Sequence, residues 1–341
     1  MKKQFAWIVM IALVAGGAFA GVTKSQKSEI TFKGFGTMSS TSTDQIVADR
    51  KLSDMNAEFK GKGLLGGLAG KTMFRSGHTG DLIDLTGMTT YQIDHKKKQY
   101  TVTPMEKWAE TQKQMQGAGR TEDPAAEKTE SDFRIVKSEF KVEDTGEKKT
   151  INGFDCRKFL ALWTVVWENV RTGEKGTDRL ETATWTTPMT SDLQAAQAEE
   201  MAFSQSYMKA IGFDAAAFQQ DVLGTQWISL LAAFDPVNGK SKMTPDSSAV
   251  ARETGKIKGY PIVVDGKYFP APKAKPAEEE ASTGGGIGGA LGKIGAGLLK
   301  KKPNPEEEKA PAVAFYTEIT ALSATAIDPA SLQVPAGYKK K

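Results

Sequence analysis

With 341 residues, 39 % of them hydrophobic and 25 % charged, and a formal net charge of +4, the chain is long enough to bury a real core and too evenly charged for a dedicated nucleic-acid binder. Cys156 is the single cysteine, so no internal disulfide forms, and with two histidines in the whole chain no histidine- and cysteine-rich metal cluster is expected.

Taken in chain order, the sequence opens with the three parts of a secretory signal: Lys2 and Lys3, an apolar run from Phe5 to Val14, and the small-x-small site Ala18-Phe19-Ala20. Residues 1–20 are therefore expected to be removed, leaving Gly21 first in a soluble product of the bacterial periplasm, with full secretion as the second choice. No later stretch offers about 18 uninterrupted apolar residues, the length a membrane span requires. Short alternating segments follow. Glu29 to Phe35 predicts a strand, and Gln45 to Phe59 a longer one extended by a bend. Gly61 to Lys71 is too rich in glycine for either regular structure, after which Thr72 to Arg75 and Asp81 to Leu85 read as strands of an antiparallel meander.

The clearest pattern lies between Thr90 and Pro104. Tyr91, Ile93, Tyr100 and Val102 alternate with polar residues around the run Asp94 to Lys98, which predicts a hairpin with one buried face. Thr103-Pro104-Met105-Glu106 then supplies a cap, a proline and an N3 glutamate, predicting a helix from Pro104 that carries Met105, Trp108 and Met115 on one side. Beyond the polar connector Gly117 to Ser131, a second block of strands begins at Phe133 and turns through Asp144 to Gly146. From Phe159 to Trp167 it is apolar on both faces, and Arg179 to Thr187 is its expected partner. Ser191 and Gln194 repeat the capping spacing for a helix with Leu193, Ala198, Met201, Met208 and Ile211 on one side, stopped at Gly212; a shorter helix is read at Asp214 to Leu223. Strands at Gly259 to Val264 and Ala312 to Ala321 close the fold. Residues 271–311 between them, rich in proline, glutamate, lysine and glycine, are expected to be a disordered insertion in a domain made of 21–270 and 312–338.

The order of three motifs resembles the lipoprotein-carrier-like (LolA/LolB-type) half-barrel superfamily of secreted bacterial proteins. These are the Tyr91 to Tyr100 hairpin, Ile151-Asn-Gly-Phe-Asp-Cys-Arg-Lys158 followed by a long strand and the Trp-bearing Glu181 to Thr187, and the ending Leu332-Gln-Val-Pro-Ala-Gly-Tyr338. The resemblance implies an α+β fold: a curved antiparallel sheet forming an incomplete barrel, its concave side covered by helices, with an apolar cavity between. In the carriers that cavity holds acyl chains. Here the carriers' cavity-controlling arginine has no matching position, and the glycine-rich insertion is foreign to the pattern.

Tyr91, Tyr100, Trp108, Trp163, Trp167, Trp185, Met201 and Met208 are the candidate lining of such a cavity, since methionine and aromatic side chains adapt to acyl chains; an ordinary packed core is the alternative. Cys156 has no histidine placed to activate it; His78, Asp81 and Asp84 suggest a metal site, but with the other histidine, His95, on a charged turn no His/Cys ligand cluster is available, so no catalytic residue, metal or cofactor is expected. Leu298 and Leu299, followed by Lys300 and Lys301, suit a peripheral contact with anionic lipid. These features predict a non-enzymatic periplasmic binding protein for an apolar or amphipathic ligand, a lipid or lipoprotein, with a ligand-free envelope module as the second reading.

Overall fold

The computed structural model describes residues 21–63, 76–107, 133–212, 247–271 and 310–341. Period-two alternation, with short turns at β1–β2, β2–β3, β4–β5 and β5–β6, folds the first part into a meander of six strands: β1 (Val22–Phe32), β2 (Gly36–Val47), β3 (Arg50–Gly61), β4 (Gly77–Asp84), β5 (Thr89–Asp94) and β6 (Gln99–Pro104). A second meander contains β7 (Phe133–Ile151), β8 (Phe154–Asn169), β9 (Lys175–Thr187), β10 (Tyr260–Phe269) and β11 (Val313–Ala324). Between β7 and β8 the tight turn is Asn152-Gly153, with φ of 51° and 84°; both values are positive, as a two-residue hairpin matched to strand twist requires.

β11 pairs with β1, joining the meanders into one sheet of order β12-β6-β5-β4-β3-β2-β1-β11-β10-β9-β8-β7. The sheet is mixed because the last strand, β12 (Lys339–Lys340), runs parallel to β6. Strands β10 and β11 pair directly across the 271–311 insertion, from Val263↔Glu318 to Tyr268↔Val313.

Two helices complete the described residues, α1 (Ser191–Ala210) and α2 (Ser247–Thr254). Thr190, rather than Ser191, caps α1, its hydroxyl accepting from the Leu193 amide at 3.3 Å, and Gly212, at φ 75°, follows its end. Leu193, Ala196 and Phe203 are the buried side chains of α1, packing on Val22, Ile46, Ile319 and Leu322 of the central strands. Glu200 pins the helix by accepting from Lys24 and, at 2.9 Å, from the Tyr260 hydroxyl. Following α2, Ile257 fills in against Val142, Phe159 and Ala161.

This architecture corrects the α+β expectation. Strand accounts for 61 % and helix for 14 %, and one long helix does not cover such a sheet. The geometry explains why: a 20-residue helix is roughly 30 Å long and 10 Å wide, whereas twelve strands spaced about 4.8 Å apart span some 53 Å. The incomplete barrel roofed by helices is accordingly replaced by a broad mixed sheet. Part of the cover comes instead from the segment after β11, where Ile327 and Leu332 bury themselves against Val47 and Leu52.

Other expectations also change. The bent strand Gln45 to Phe59 is two strands, β2 and β3, paired from Val47↔Arg50 to Gly36↔Gly61. Pro104 ends β6 opposite Thr89 instead of opening a helix, and Met105 to Lys107 are irregular. The signal segment 1–20, the helix beyond Lys107 with Trp108 and Met115, the reading at Asp214 to Leu223, and the insertion with Leu298 to Lys301 lie outside the described residues.

Candidate functional site

The pairing registers decide which candidate side chains share a face. Trp163 lies opposite Leu180, which lies opposite Tyr268 and, in turn, Val313, Phe32 and Gly36, so Trp163 and Trp167 stand on one face of the sheet. By the same alternation Trp185, Tyr91 and Tyr100 stand on the other face, and β5 is seven strands away from β9, about 34 Å along the sheet. The eight candidates therefore do not form one lining. Trp163 is core, its indole N–H donating to Ser138 at 3.1 Å. Trp167 donates to the buried Asp178 carboxylate at 3.3 Å, which also receives the Tyr268 hydroxyl at 3.2 Å and the Ala271 amide at 2.7 Å. Trp185 is half-buried beneath the Lys158 ammonium, Tyr91 and Tyr100 pack together with ring centroids 6.2 Å apart, Met208 is half-buried and Met201 is exposed.

A cleft of about 330 Å³ lies on the Trp163 face near the start of β8, with Phe159, Pro188 and Met189 as apolar walls and Arg157, Lys256, Lys258 and Asp144 as charged ones. Arg157 is already paired with Asp144 at 2.6 Å, and Lys256 with Glu253 at 2.6 Å. Cys156, by contrast, is closed off: burial, with the nearby Asp155, pushes its thiol up from the ordinary range, away from the thiolate a nucleophile needs.

A denser constellation stands on the Tyr91 face, and the sequence reading missed it. Asp54 on β3, His78 on β4 and His95 just after β5 bring three donor atoms within 4.8 Å of one another. His78 Nε2 is 2.6 Å from Asp54 Oδ1, His95 Nε2 is 3.1 Å from Asp54 Oδ2, and the two imidazoles stack with centroids 4.1 Å apart. Three neighbouring strands build this arrangement. Asn56 pairs with His78, which puts Asp54 on its diagonal; the His95 amide donates to the His78 carbonyl at 3.2 Å. Gly80 makes the room, since a Cβ there would stand 3.0 Å from His95 Nε2.

The two rings differ in environment. His78 is exposed, whereas His95 has only 13 % of its side chain accessible; burial, and then the proximity of His78, lower its pKa and keep the ring neutral at neutral pH. His95 Nδ1 meets the Tyr338 hydroxyl at 3.0 Å, and its buried Nε2, which makes no hydrogen bond, faces Asp54 Oδ2 at 3.1 Å. Nε2 is thus the nitrogen that faces Asp54 and His78, while Tyr338 holds the other. Two imidazoles and one carboxylate form the ligand set of zinc and of several other first-row metals, at about 2.0–2.2 Å per bond. An ion held by these three donors would keep an open side toward solvent, where His78 and Asp54 are exposed.

No family model, curated protein or solved structure matches this chain.

Proposed function

We propose that this protein binds one divalent transition-metal ion, of the zinc, copper or nickel type, through Asp54, His78 and His95. The observation that carries the reading is the convergence of both histidines of a 341-residue chain on a single carboxylate, one of them held from behind by a tyrosine. An ion there joins three adjacent strands and leaves open positions for water or an exogenous ligand. With the export expected for residues 1–20, the reading is a metal-binding protein of the cell envelope.

Equilibrium dialysis against Zn²⁺, with the bound metal counted by atomic emission, tests it. One ion per chain is expected in the wild type, and His78→Ala, His95→Ala and Asp54→Ala should each weaken binding at least tenfold. A wild type that holds no zinc, copper or nickel, or a double His78→Ala/His95→Ala variant that holds as much as wild type, would overturn it.

An amphipathic anionic ligand is the second reading, favoured by the cleft beside Phe159. Its 330 Å³ is at the lower end of the range for small-molecule sites, about 300–1,000 Å³, and its apolar walls adjoin the Arg157, Lys256 and Lys258 cations. Native mass spectrometry of protein taken from its own host should then show a bound lipid that Phe159→Asp releases; a bare chain argues against it.

A further inference from the structure

Resting on that metal reading, we propose that Tyr338 is a positioning residue of the centre and that the terminal strand β12 is its latch, so that seating the chain's last residues and loading the ion reinforce one another. The tail reaches the site by a defined route. Ile327 and Leu332 anchor it in the core at 4 % and 2 % exposure, and Asp328 caps the short 3₁₀ turn Pro329–Ser331. Gly337, at φ 82°, then helps turn the chain, and the Tyr338 amide donates back to the Pro335 carbonyl at 3.3 Å. Beyond Tyr338 the backbone adds to the hairpin: the Lys339 amide donates to the Lys98 carbonyl at 3.0 Å and the Lys341 amide to the Tyr100 carbonyl at 2.9 Å.

These contacts grip the hairpin that carries His95. Tyr338 touches the imidazole twice, through its hydroxyl on Nδ1 and edge-on through its ring, with centroids 5.7 Å apart. A histidine ligand is fixed in tautomer and orientation by the partner of its second nitrogen, and loss of such a partner typically costs 10–100-fold in metal affinity. The latch itself is weak by construction. β12 is two exposed residues long at the edge of the sheet, so it opens locally at far lower cost than the core. An open tail frees the His95 ring, and a closed one aims it. Any ion that prefers the aimed ring must, by linkage, favour the closed tail to the same degree.

Two measurements on the full chain test this. In the first, Zn²⁺ affinity is compared between wild type and Tyr338→Phe, which removes only the hydroxyl; the expected result is about a tenfold loss at an unchanged one-to-one stoichiometry. In the second, hydrogen exchange of the C-terminal peptide bearing the Lys339 and Lys341 amides is followed with and without Zn²⁺. Zinc should slow that exchange in the wild type, and the slowing should shrink in Tyr338→Phe and vanish in His95→Ala. A merely structural tyrosine would alter exchange equally with and without zinc. Zinc binding with equal affinity in Tyr338→Phe and no zinc-dependent protection of the tail would overturn the latch and leave the metal centre standing. No zinc binding by the wild type would overturn both.

Discussion

Glu253 links pH to the stability of the fold. Its carboxylate, 8 % exposed, accepts from the Lys256 ammonium at 2.6 Å and from the Val142 amide at 3.0 Å, and these donors hold its pKa below the usual carboxylate range. A carboxyl depressed in the folded state contributes stability that is fully present above its unfolded pKa, about 4.3, and is lost as pH falls through the folded value. Glu253→Ala should therefore cost about 1–3 kcal/mol at pH 7, because the Val142 amide loses its acceptor. In urea titrations repeated at lower pH the gap between variant and wild type should narrow once the pH drops below about 4. The metal site poses a different problem at this scale. Tyr91, Ile93, Tyr100 and Val102 were legible as one strand face because a period of two needs only local sequence. His78 and His95 were not legible as partners: His95 reads as part of a charged turn, and their meeting depends on the β4–β5 register and on the gap left by Gly80.

Among elements, α1 shows where apolar periodicity misleads. Its inward face follows the spacing Leu193, Ala196, Glu200, Phe203, Tyr207, steps of three and four residues that include a small alanine and a carboxylate engaged by Lys24 and Tyr260. The expected face of Leu193, Ala198, Met201, Met208 and Ile211 shares only Leu193 with it, and Met201 is 41 % exposed. Phe203→Ala should accordingly destabilise the fold by about 3–5 kcal/mol in chemical denaturation, and Met201→Ala by no more than about 0.5 kcal/mol. Long strands rich in serine and threonine were the harder elements to read. β2 has Ser39, Ser40, Thr41, Ser42 and Thr43 in succession, so neither face is apolar there and alternation carries no signal; the boundary between β2 and β3 was lost with it. The hairpin tip Asp94 to Lys98 was legible because its turn chemistry is local, with Asp94 accepting from the Lys97 amide at 2.9 Å.

For the whole molecule, strand content was underestimated and helical cover overestimated, since residues that read as a helical start after β6 continue the strand through Pro104. The sheet has two different edges. β7 pairs only with β8 among the described strands and carries Lys137, Lys141, Lys148 and Lys149, charges that discourage edge-to-edge association; β6 is closed instead by the latch. In the middle lies the seam between β1 and β11, where Ser28 meets Thr317 across 289 residues of chain. Hairpins such as β1–β2 and β7–β8 join near neighbours and need little search, whereas the seam closes a loop of 289 residues. Until β11 is in place, the β1 edge of the first meander has no partner strand. Threonine, serine and lysine in Val22–Phe32, a composition ill suited to sticking to other chains, let that edge wait.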